Sequence, residues 1–343
     1  MTPFRTRLAA VFGALALSLI AGCGGESAGE LGTSPEATFP TSLHATGRGM
    51  ITWYSSTSGG FEQSTGIAYP DLSCRSCHRP LCTNCHATPG DTVPQDSCLA
   101  CHGLVAAEWA HYSDVHRASG MECMDCHSLR EMHGDGTGYA SLLAEGAMDT
   151  ECANCHTPLA SNPYHEVHGE AVDCSACHVQ GVVTCHNCHL ETELEHRQKK
   201  SYGEFTDWIF LVNYDGKVHA ANFQSAKYRD KSFLAMAPFT AHAIAKQART
   251  CDECHHNAAI EEYVATGKIQ VTHWDAKTSQ LTHIGGVIPV PQDWQAALKF
   301  DFADLAEDGN WVFMEAGPDT FQMLFGSPLT RAQMDKLKKV RSP

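Results

Sequence analysis

The chain has 343 residues, a formal net charge of −15 and 17 cysteines. This acidic balance argues against nucleic acid as a partner, because the phosphate backbone would repel the chain. Basic redox proteins, cationic substrates and metal ions fit the charge better. No glycine-rich phosphate loop, Ser-His-Asp arrangement or basic patch stands out.

The N-terminus resembles a bacterial lipoprotein leader. Arg5 and Arg7 precede an apolar run, Leu8–Ile20, that is too short to span a bilayer as a mature helix, which predicts a signal peptide over residues 1–22. The Leu-Ile-Ala-Gly before Cys23 resembles a lipobox and implies lipidation of Cys23; the alternative is ordinary cleavage beside an unrelated cysteine. Because no aspartate follows Cys23, we expect an exported, outer-membrane lipoprotein on the periplasmic or outer face, with the lipid as its only membrane contact.

The other cysteines form eight Cys-x-x-Cys-His motifs, numbered here one to eight along the chain. Two thiols one short turn apart can add to the two vinyl groups of a haem, and the next histidine then reaches the iron. Zinc, a redox dithiol or disulfides would compete for one copy but not for eight. We therefore predict eight covalent haem c groups. The attachment cysteines are Cys74, Cys77, Cys82, Cys85, Cys98, Cys101, Cys123, Cys126, Cys152, Cys155, Cys174, Cys177, Cys185, Cys188, Cys251 and Cys254. The proximal ligands are His78, His86, His102, His127, His156, His178, His189 and His255.

The sixth ligands of these irons must come from elsewhere, and more histidines remain than are needed. Methionine recurs at no fixed distance from the motifs, so we predict bis-histidine irons of low potential. Two stretches repeat one pattern, with a histidine six or seven residues before the next haem cysteine. The predicted distal set is His116, His168, His111, His165, His133, His196, His242 and His219. His44, His186, His256, His273 and His283 stay open, with an ordinary solvent-exposed or hydrogen-bonded role as the alternative.

Four segments are predicted from these patterns. Residues 1–22 are the leader, 23–65 a flexible Gly/Ser/Thr/Pro-rich tether, 66–256 an octahaem domain and 257–343 a haem-free cap. The chain has too few residues per haem to build a separate apolar core, so the porphyrins themselves are predicted to form the core. The predicted fold class is a multihaem cytochrome c of mostly loops and short α-helices around covalent haems, with a small β-hairpin region near 205–237 and a mixed C-terminal cap. The repeated histidine pattern indicates an ancestral duplication.

Local patterns predict further elements in chain order. Asp215-Gly216 between two apolar runs predicts a hairpin. Trp274, Trp294 and Trp311 fit packing better than electron relay. The predicted helices are 191–200, 241–249, 294–302 and 330–340, and the predicted strands are 208–212, 217–223, 233–237 and 269–274. Residues 287–290 form an apolar run broken by proline.

The eight motifs make the chain resemble bacterial octahaem c-type cytochromes, a class found in anaerobic respiration and extracellular electron transfer. Some members are hydroxylamine oxidoreductases or nitrite, sulfite or tetrathionate reductases, and others are conduits. Nitrite reductases of this class typically carry one Cys-x-x-Cys-Lys, whereas all eight motifs here end in histidine. The tetrathionate type keeps histidine throughout and uses a distal lysine. That resemblance makes lysines in the gap before Cys251 candidates: Lys217, Lys227, Lys231 and Lys246.

Two functions remain open on the sequence alone. The first is a chain of bis-histidine haems that passes electrons between redox proteins or to a terminal acceptor. The second is a reductase of small nitrogen or sulfur oxyanions, which needs one iron with an open or displaceable site. The histidine surplus favours the first, so no catalytic residue is assigned. Oligomers or filaments are compatible with the sequence.

Overall fold

The computed structural model describes residues 34–72, 81–88, 91–159, 161–315 and 317–339. Cys23 and the first motif, Cys74–His78, lie outside these ranges. Two parts are distinguished below: the motif region, residues 81–178, and the sheet region, residues 182–339. Among the described residues, no helix is long and apolar enough to cross a membrane.

Short α-helices are spread along the whole described chain. They are α1 (Pro35–Thr38), α2 (Leu43–Thr46), α3 (Arg48–Tyr54), α4 (Glu62–Thr65), α5 (Cys82–Cys85), α6 (Gln95–Leu99), α7 (Gly103–His111), α8 (Val115–Ala118), α9 (Leu129–His133), α10 (Pro163–His168), α11 (Cys174–His178), α12 (Leu190–His196), α13 (Cys251–His255), α14 (Ala258–Thr266), α15 (Trp294–Ala297) and α16 (Arg331–Leu337).

All strands of the described residues lie in the sheet region. They are β1 (Val182–His189), β2 (Lys200–Tyr214), β3 (Lys217–Tyr228), β4 (Lys231–Pro238), β5 (Ile269–Gln270), β6 (Thr272–Asp275), β7 (Gln280–His283), β8 (Gly286–Pro289), β9 (Leu298–Lys299), β10 (Phe302–Leu305), β11 (Trp311–Met314) and β12 (Thr320–Met323). Six of them form one mixed sheet in the order β12-β4-β3-β1-β2-β8, and the others form two-stranded sheets β5-β9, β6-β7 and β10-β11.

The hairpin of β2 and β3 organises the large sheet. Its two-residue loop, Asp215-Gly216, has φ values of 49° and 77°, which confirms the predicted Asp-Gly turn. The strands pair directly only near this turn, from Phe210 to Tyr214 on β2. Farther away β1 lies between them, antiparallel to β2 and parallel to β3. The seventh motif is therefore enclosed in a sheet.

The sheet region has an apolar core of its own. Trp208, Phe210, Phe223, Ile288 and Phe302 are all at most 1% exposed. Fully burying each such side chain contributes about 1.5–3 kcal/mol relative to exposure. The predicted fold class, mostly loops and short helices with a small hairpin near 205–237, is therefore wrong: the chain has a sheet-rich fold. The reason is that the long gap before motif eight and the C-terminal residues supply strands that pack together, so porphyrins are not the only core.

The segment preceding the motifs also differs from expectation. Residues 34–65, predicted as part of a flexible tether, form four short α-helices in the structure. The Trp53 indole donates to Ser141 Oγ at 3.3 Å, and the Gln322 amide donates to the Trp53 carbonyl oxygen at 2.8 Å. These bonds attach the segment both to the motif region and to β12.

Several local predictions need correction. Residues 241–249 form no helix, and only the start of the predicted helix 294–302 is helical, as α15, which is followed by β9. Contacts with distant residues hold both segments in these conformations. The Ile244 amide, for example, donates to the buried carboxylate of Asp114 at 2.9 Å. The helices near 191–200 and 330–340 are confirmed in shorter form as α12 and α16.

Candidate functional site: facing histidine pairs

Most described motifs adopt one helical turn. In motifs two, three, four and five the histidine amide donates to the carbonyl of the first cysteine at 2.8–3.0 Å. Motifs six and eight coincide with α11 and α13. Since positions i, i+3 and i+4 share one helix face, both thiols and the imidazole can reach one group. The described motif cysteines form no disulfide.

Six of the motif histidines face a second histidine from elsewhere in the chain. Each pair is numbered after its motif and joins one motif histidine to one other histidine. With their ring-centre distances, they are pair two, His86–His133 (6.0 Å); pair three, His102–His44 (6.2 Å); pair four, His127–His242 (6.2 Å); pair five, His156–His116 (6.0 Å); pair six, His178–His165 (6.4 Å); and pair eight, His255–His168 (6.3 Å).

This spacing suits a metal ion between two rings. An imidazole nitrogen lies about 1 Å from its ring centre and about 2 Å from a bound metal, so imidazoles on opposite sides of one ion have centres about 6 Å apart. Ordinary aromatic contacts in this chain vary more, from 4.4 Å for Phe205–His283 to 6.5 Å for His111–Tyr112. A haem iron needs only two protein ligands. No three His, Cys, Asp or Glu residues converge on one metal position within the described ranges.

Hydrogen bonds fix the orientation of many of these rings. Three motif histidines donate from Nδ1 to a backbone carbonyl: His86 to Asp91 at 3.1 Å, His178 to Ala245 at 3.0 Å and His255 to Leu337 at 3.0 Å. With the hydrogen on Nδ1, the lone pair is on Nε2 and is available to a metal. Burial also lowers the pKa of His44, His102 and His133, which favours the neutral imidazole.

Pair four is held by carboxylates instead of carbonyls. Glu131 is buried, and its Oε2 accepts from His127 Nδ1 at 2.7 Å. Burial by itself would raise the pKa of Glu131, but hydrogen bonds from His127, Asp149 and Thr150 bring that pKa below its usual value. On the other ring, Glu108 Oε2 accepts the backbone amide of His242 at 2.8 Å.

Thiols of different motifs lie close enough to affect one another's pKa. Burial and then Cys98 of motif three raise the pKa of Cys123 in motif four. Cys152 of motif five and Cys174 of motif six likewise interact. The pKa of Cys85, Cys126 and Cys254 is raised by burial first and then by a thiol of another motif. Those neighbours are Cys101 for Cys85, Cys155 for Cys126 and Cys177 for Cys254. These interactions therefore link the motifs in the order two, three, four, five, six, eight.

The backbone explains part of this order. His165 and His168 lie three residues apart on α10 and belong to pairs six and eight. Neighbours at i and i+3 lie on one helix face, so these two pairs are adjacent. The motif histidine of pair four, His127, precedes α9, and His133 of pair two ends it.

Of the predicted distal histidines, the structure pairs five and leaves three in other contacts. His116, His133, His165, His168 and His242 each face a motif histidine. His111 Nε2 instead lies 3.6 Å from Glu204, His196 Nε2 lies 3.9 Å from Glu195, and His219 Nε2 lies 3.4 Å from Asp173. His44 was not among the predicted distal ligands, because nothing in the sequence apart from its being a histidine points to that role.

Motif seven has a different conformation from the other described motifs. It forms part of β1, and its inner residues are fixed by polar contacts: His186 Nε2 lies 3.2 Å from the Asp301 carbonyl, and the Asn187 amide donates to the Ala303 carbonyl at 2.7 Å. The ring centres of His189 and Trp311 lie 6.4 Å apart, and no facing histidine is found for His189 among the described residues. The arrangement of motif seven therefore does not show the fit to a haem seen in the other six.

Lys227, a candidate distal lysine, is buried beside His189 in an ion-pair cluster. Its Nζ lies 2.9 Å from Glu191 and 2.7 Å from Asp304. Burial would lower the pKa of Lys227, but hydrogen bonds to Asp304 and Glu191 raise it. A protonated ammonium held by two carboxylates has no lone pair for a metal.

Comparisons of this chain with protein-family models, curated proteins and solved structures found no match.

Proposed function

We propose that this protein is a multihaem c-type cytochrome that carries electrons along a line of bis-histidine haems. The observation that carries the proposal is the set of six facing histidine pairs, each with one motif histidine and a ring-centre distance of 6.0–6.4 Å. The motif cysteines would hold each haem covalently, and the paired imidazoles would bind its iron. The bound haem would supply one-electron redox chemistry.

The order in which thiols of different motifs interact supports a continuous path. It runs from pair two through pairs three, four, five and six to pair eight, without a motif left out between them except the seventh. The protein's part is to keep these groups adjacent, through bonds such as that from the Ala245 amide to the His178 carbonyl at 2.8 Å. Saturated iron coordination on both faces suits electron transfer rather than substrate binding.

The proposal includes a location and partners that the sequence indicates. We propose an exported lipoprotein, anchored through Cys23 at the outer membrane, with redox proteins or a terminal acceptor of anaerobic or extracellular respiration as partners. Mass spectrometry of the N-terminal peptide of the mature protein should find Cys23 as the first residue, carrying lipid. An unmodified Cys23, or a mature chain that begins elsewhere, would contradict a lipid anchor.

A reductase of small oxyanions is the second candidate, favoured by motif seven. His189 faces Trp311 rather than a histidine within the described residues, so a haem held there is where an exchangeable site would be sought. The carboxylate cluster around Lys227 argues against the lysine-ligated form.

Low-temperature electron paramagnetic resonance on the oxidised holoprotein separates the two functions. The haem count is first established by haemochrome assay and mass. The carrier predicts low-spin iron at the six paired sites and no iron signal that changes when nitrite, hydroxylamine, sulfite or tetrathionate is added. A high-spin iron that responds to one of these anions would overturn the carrier in favour of the reductase.

A further inference from the structure

Pair four carries a buried carboxylate at both of its outer nitrogen atoms. Glu131 Oε2 accepts from His127 Nδ1 at 2.7 Å. On the opposite ring, Glu108 Oε2 lies 3.6 Å from His242 Nδ1. The two acids come from different helices, α9 and α7, and the two rings they contact face each other at 6.2 Å.

Both acids are buried within the fold and do not lie on its surface. The Glu108 side chain is fully buried, and neither its Oε1 nor His242 Nδ1 has a hydrogen-bond partner among the described residues. The side chain of Glu131 is 1% exposed, and its Oε1 accepts from the Asp149 and Thr150 amides at 2.5 and 2.8 Å. A buried acid with an unused oxygen needs a nearby positive group.

The other described pairs are not arranged this way. Motif histidines of pairs two, six and eight donate to neutral carbonyls. The nearest counterpart is pair five, where Asp114 Oδ1 lies 3.9 Å from His116 Nδ1 on one side only. Among the six pairs, pair four therefore has the greatest negative charge next to its imidazoles.

We propose that Glu108 and Glu131 are positioning residues that give the iron of pair four the most negative reduction potential of the six paired sites. This inference rests on the proposed haem ligation. A carboxylate that accepts from Nδ1 makes the imidazole a more basic ligand, which stabilises the ferric iron. Two buried negative charges also oppose the addition of an electron, and low local dielectric strengthens that effect. Pair four is in the interior of the line, so its potential sets a central step of the path.

The test is a spectroelectrochemical titration of the holoprotein and of the variants Glu108→Gln and Glu131→Gln. Each variant should move the most negative component in the positive direction by at least about tenfold in its reduction equilibrium, about 59 mV for one electron. The double variant should move it further. The matched control is Glu122→Gln, which removes an exposed carboxylate that precedes motif four. The Glu122 backbone amide donates to Asp125 Oδ2 at 2.7 Å, and the substitution leaves that bond in place. The control should leave this component in place.

The outcomes distinguish this inference from the proposed function. If pair four binds a low-spin iron but neither variant moves the most negative component, the inference is wrong and the carrier stands. If His127→Ala and His242→Ala leave the number of low-spin irons unchanged, the ligation itself is wrong. Glu108→Gln keeps the test decisive if Glu131→Gln does not accumulate, because Glu131 also holds the 149–150 backbone.

Discussion

The motif region and the sheet region bury different kinds of side chain. In the sheet region, tryptophan, phenylalanine and isoleucine side chains from β2, β3, β8 and β10 are sealed from solvent. In the described part of the motif region before Cys174, the buried residues are Glu108, Asp114, Glu131, Ser141 and Ala147. Buried acids with one small apolar residue cannot drive folding by the hydrophobic effect.

Large apolar side chains of the motif region lie instead at its surface. Leu81 is 70% exposed, Leu129 is 63% exposed and Val167 is 57% exposed. Such side chains beside the histidine pairs suit the faces of planar apolar groups. The comparison teaches that the sheet region folds around its own side chains, whereas the motif region lacks an apolar interior that the proposed haems would supply.

The largest expected effect comes from blocking haem attachment. Produced in cells without cytochrome c maturation, the chain should keep its sheet region folded and lose order in the motif region. Hydrogen exchange would show protection over β2 and β3 and fast exchange over residues 81–170. Equal protection in both regions would remove the distinction between them.

A second effect separates a paired histidine from an unpaired one. His168→Ala should convert one low-spin iron to high-spin, because His168 faces His255. His196→Ala should not, because the His196 side chain is 64% exposed beside Glu195. Electron paramagnetic resonance measures both, and an identical spectrum for the two variants would contradict the pairing.

A third effect concerns the core of the sheet region. Trp208→Ala should reduce the free energy of unfolding by about 3–5 kcal/mol, since this fully buried side chain leaves a cavity. Phe313→Ala is the control: its residue is 45% exposed, and a change within about 0.5 kcal/mol is expected. Denaturant titration monitored by circular dichroism, a signal that does not rely on tryptophan fluorescence, measures the difference in free energy of unfolding. The low-spin spectrum should persist in both variants under native conditions.

The smallest effect is a pH dependence within the motif region. The Thr137 amide, then Tyr139 and Arg130, lower the pKa of Asp135 from 3.8 to about 2. A depressed pKa stabilises the fold above the ordinary value, and this contribution is lost as pH falls from 3.8 towards 2. The protection of the amides of residues 135–149, measured relative to their intrinsic exchange rates at each pH, should therefore decrease as the pH falls over that range. Asp135→Asn should abolish most of this local dependence, and an unchanged profile would show that Asp135 is not its source.

The sequence predicted the local chemistry better than the long-range arrangement. The Asp215-Gly216 turn was predictable because two residues determine it. The partner of each motif histidine was not: His116 precedes motif four but faces His156 of motif five, and His133 follows motif four but faces His86 of motif two. Spacing along the chain does not determine which folded segments meet.

The sheet shows the same limit on a larger scale. The apolar runs of the hairpin indicated strands, but β1 was hidden because its residues read as a haem motif. Its pairing with both β2 and β3, and the parallel addition of β8 and β12, depend on contacts between distant residues. No local pattern carries that information.

The most direct measurement is an anomalous difference map at the iron absorption edge from crystals of the holoprotein. The account predicts an iron midway between the rings of each of the six pairs, in the order two, three, four, five, six, eight. Irons that lie away from these pairs, or pairs whose rings bind no iron, would contradict it.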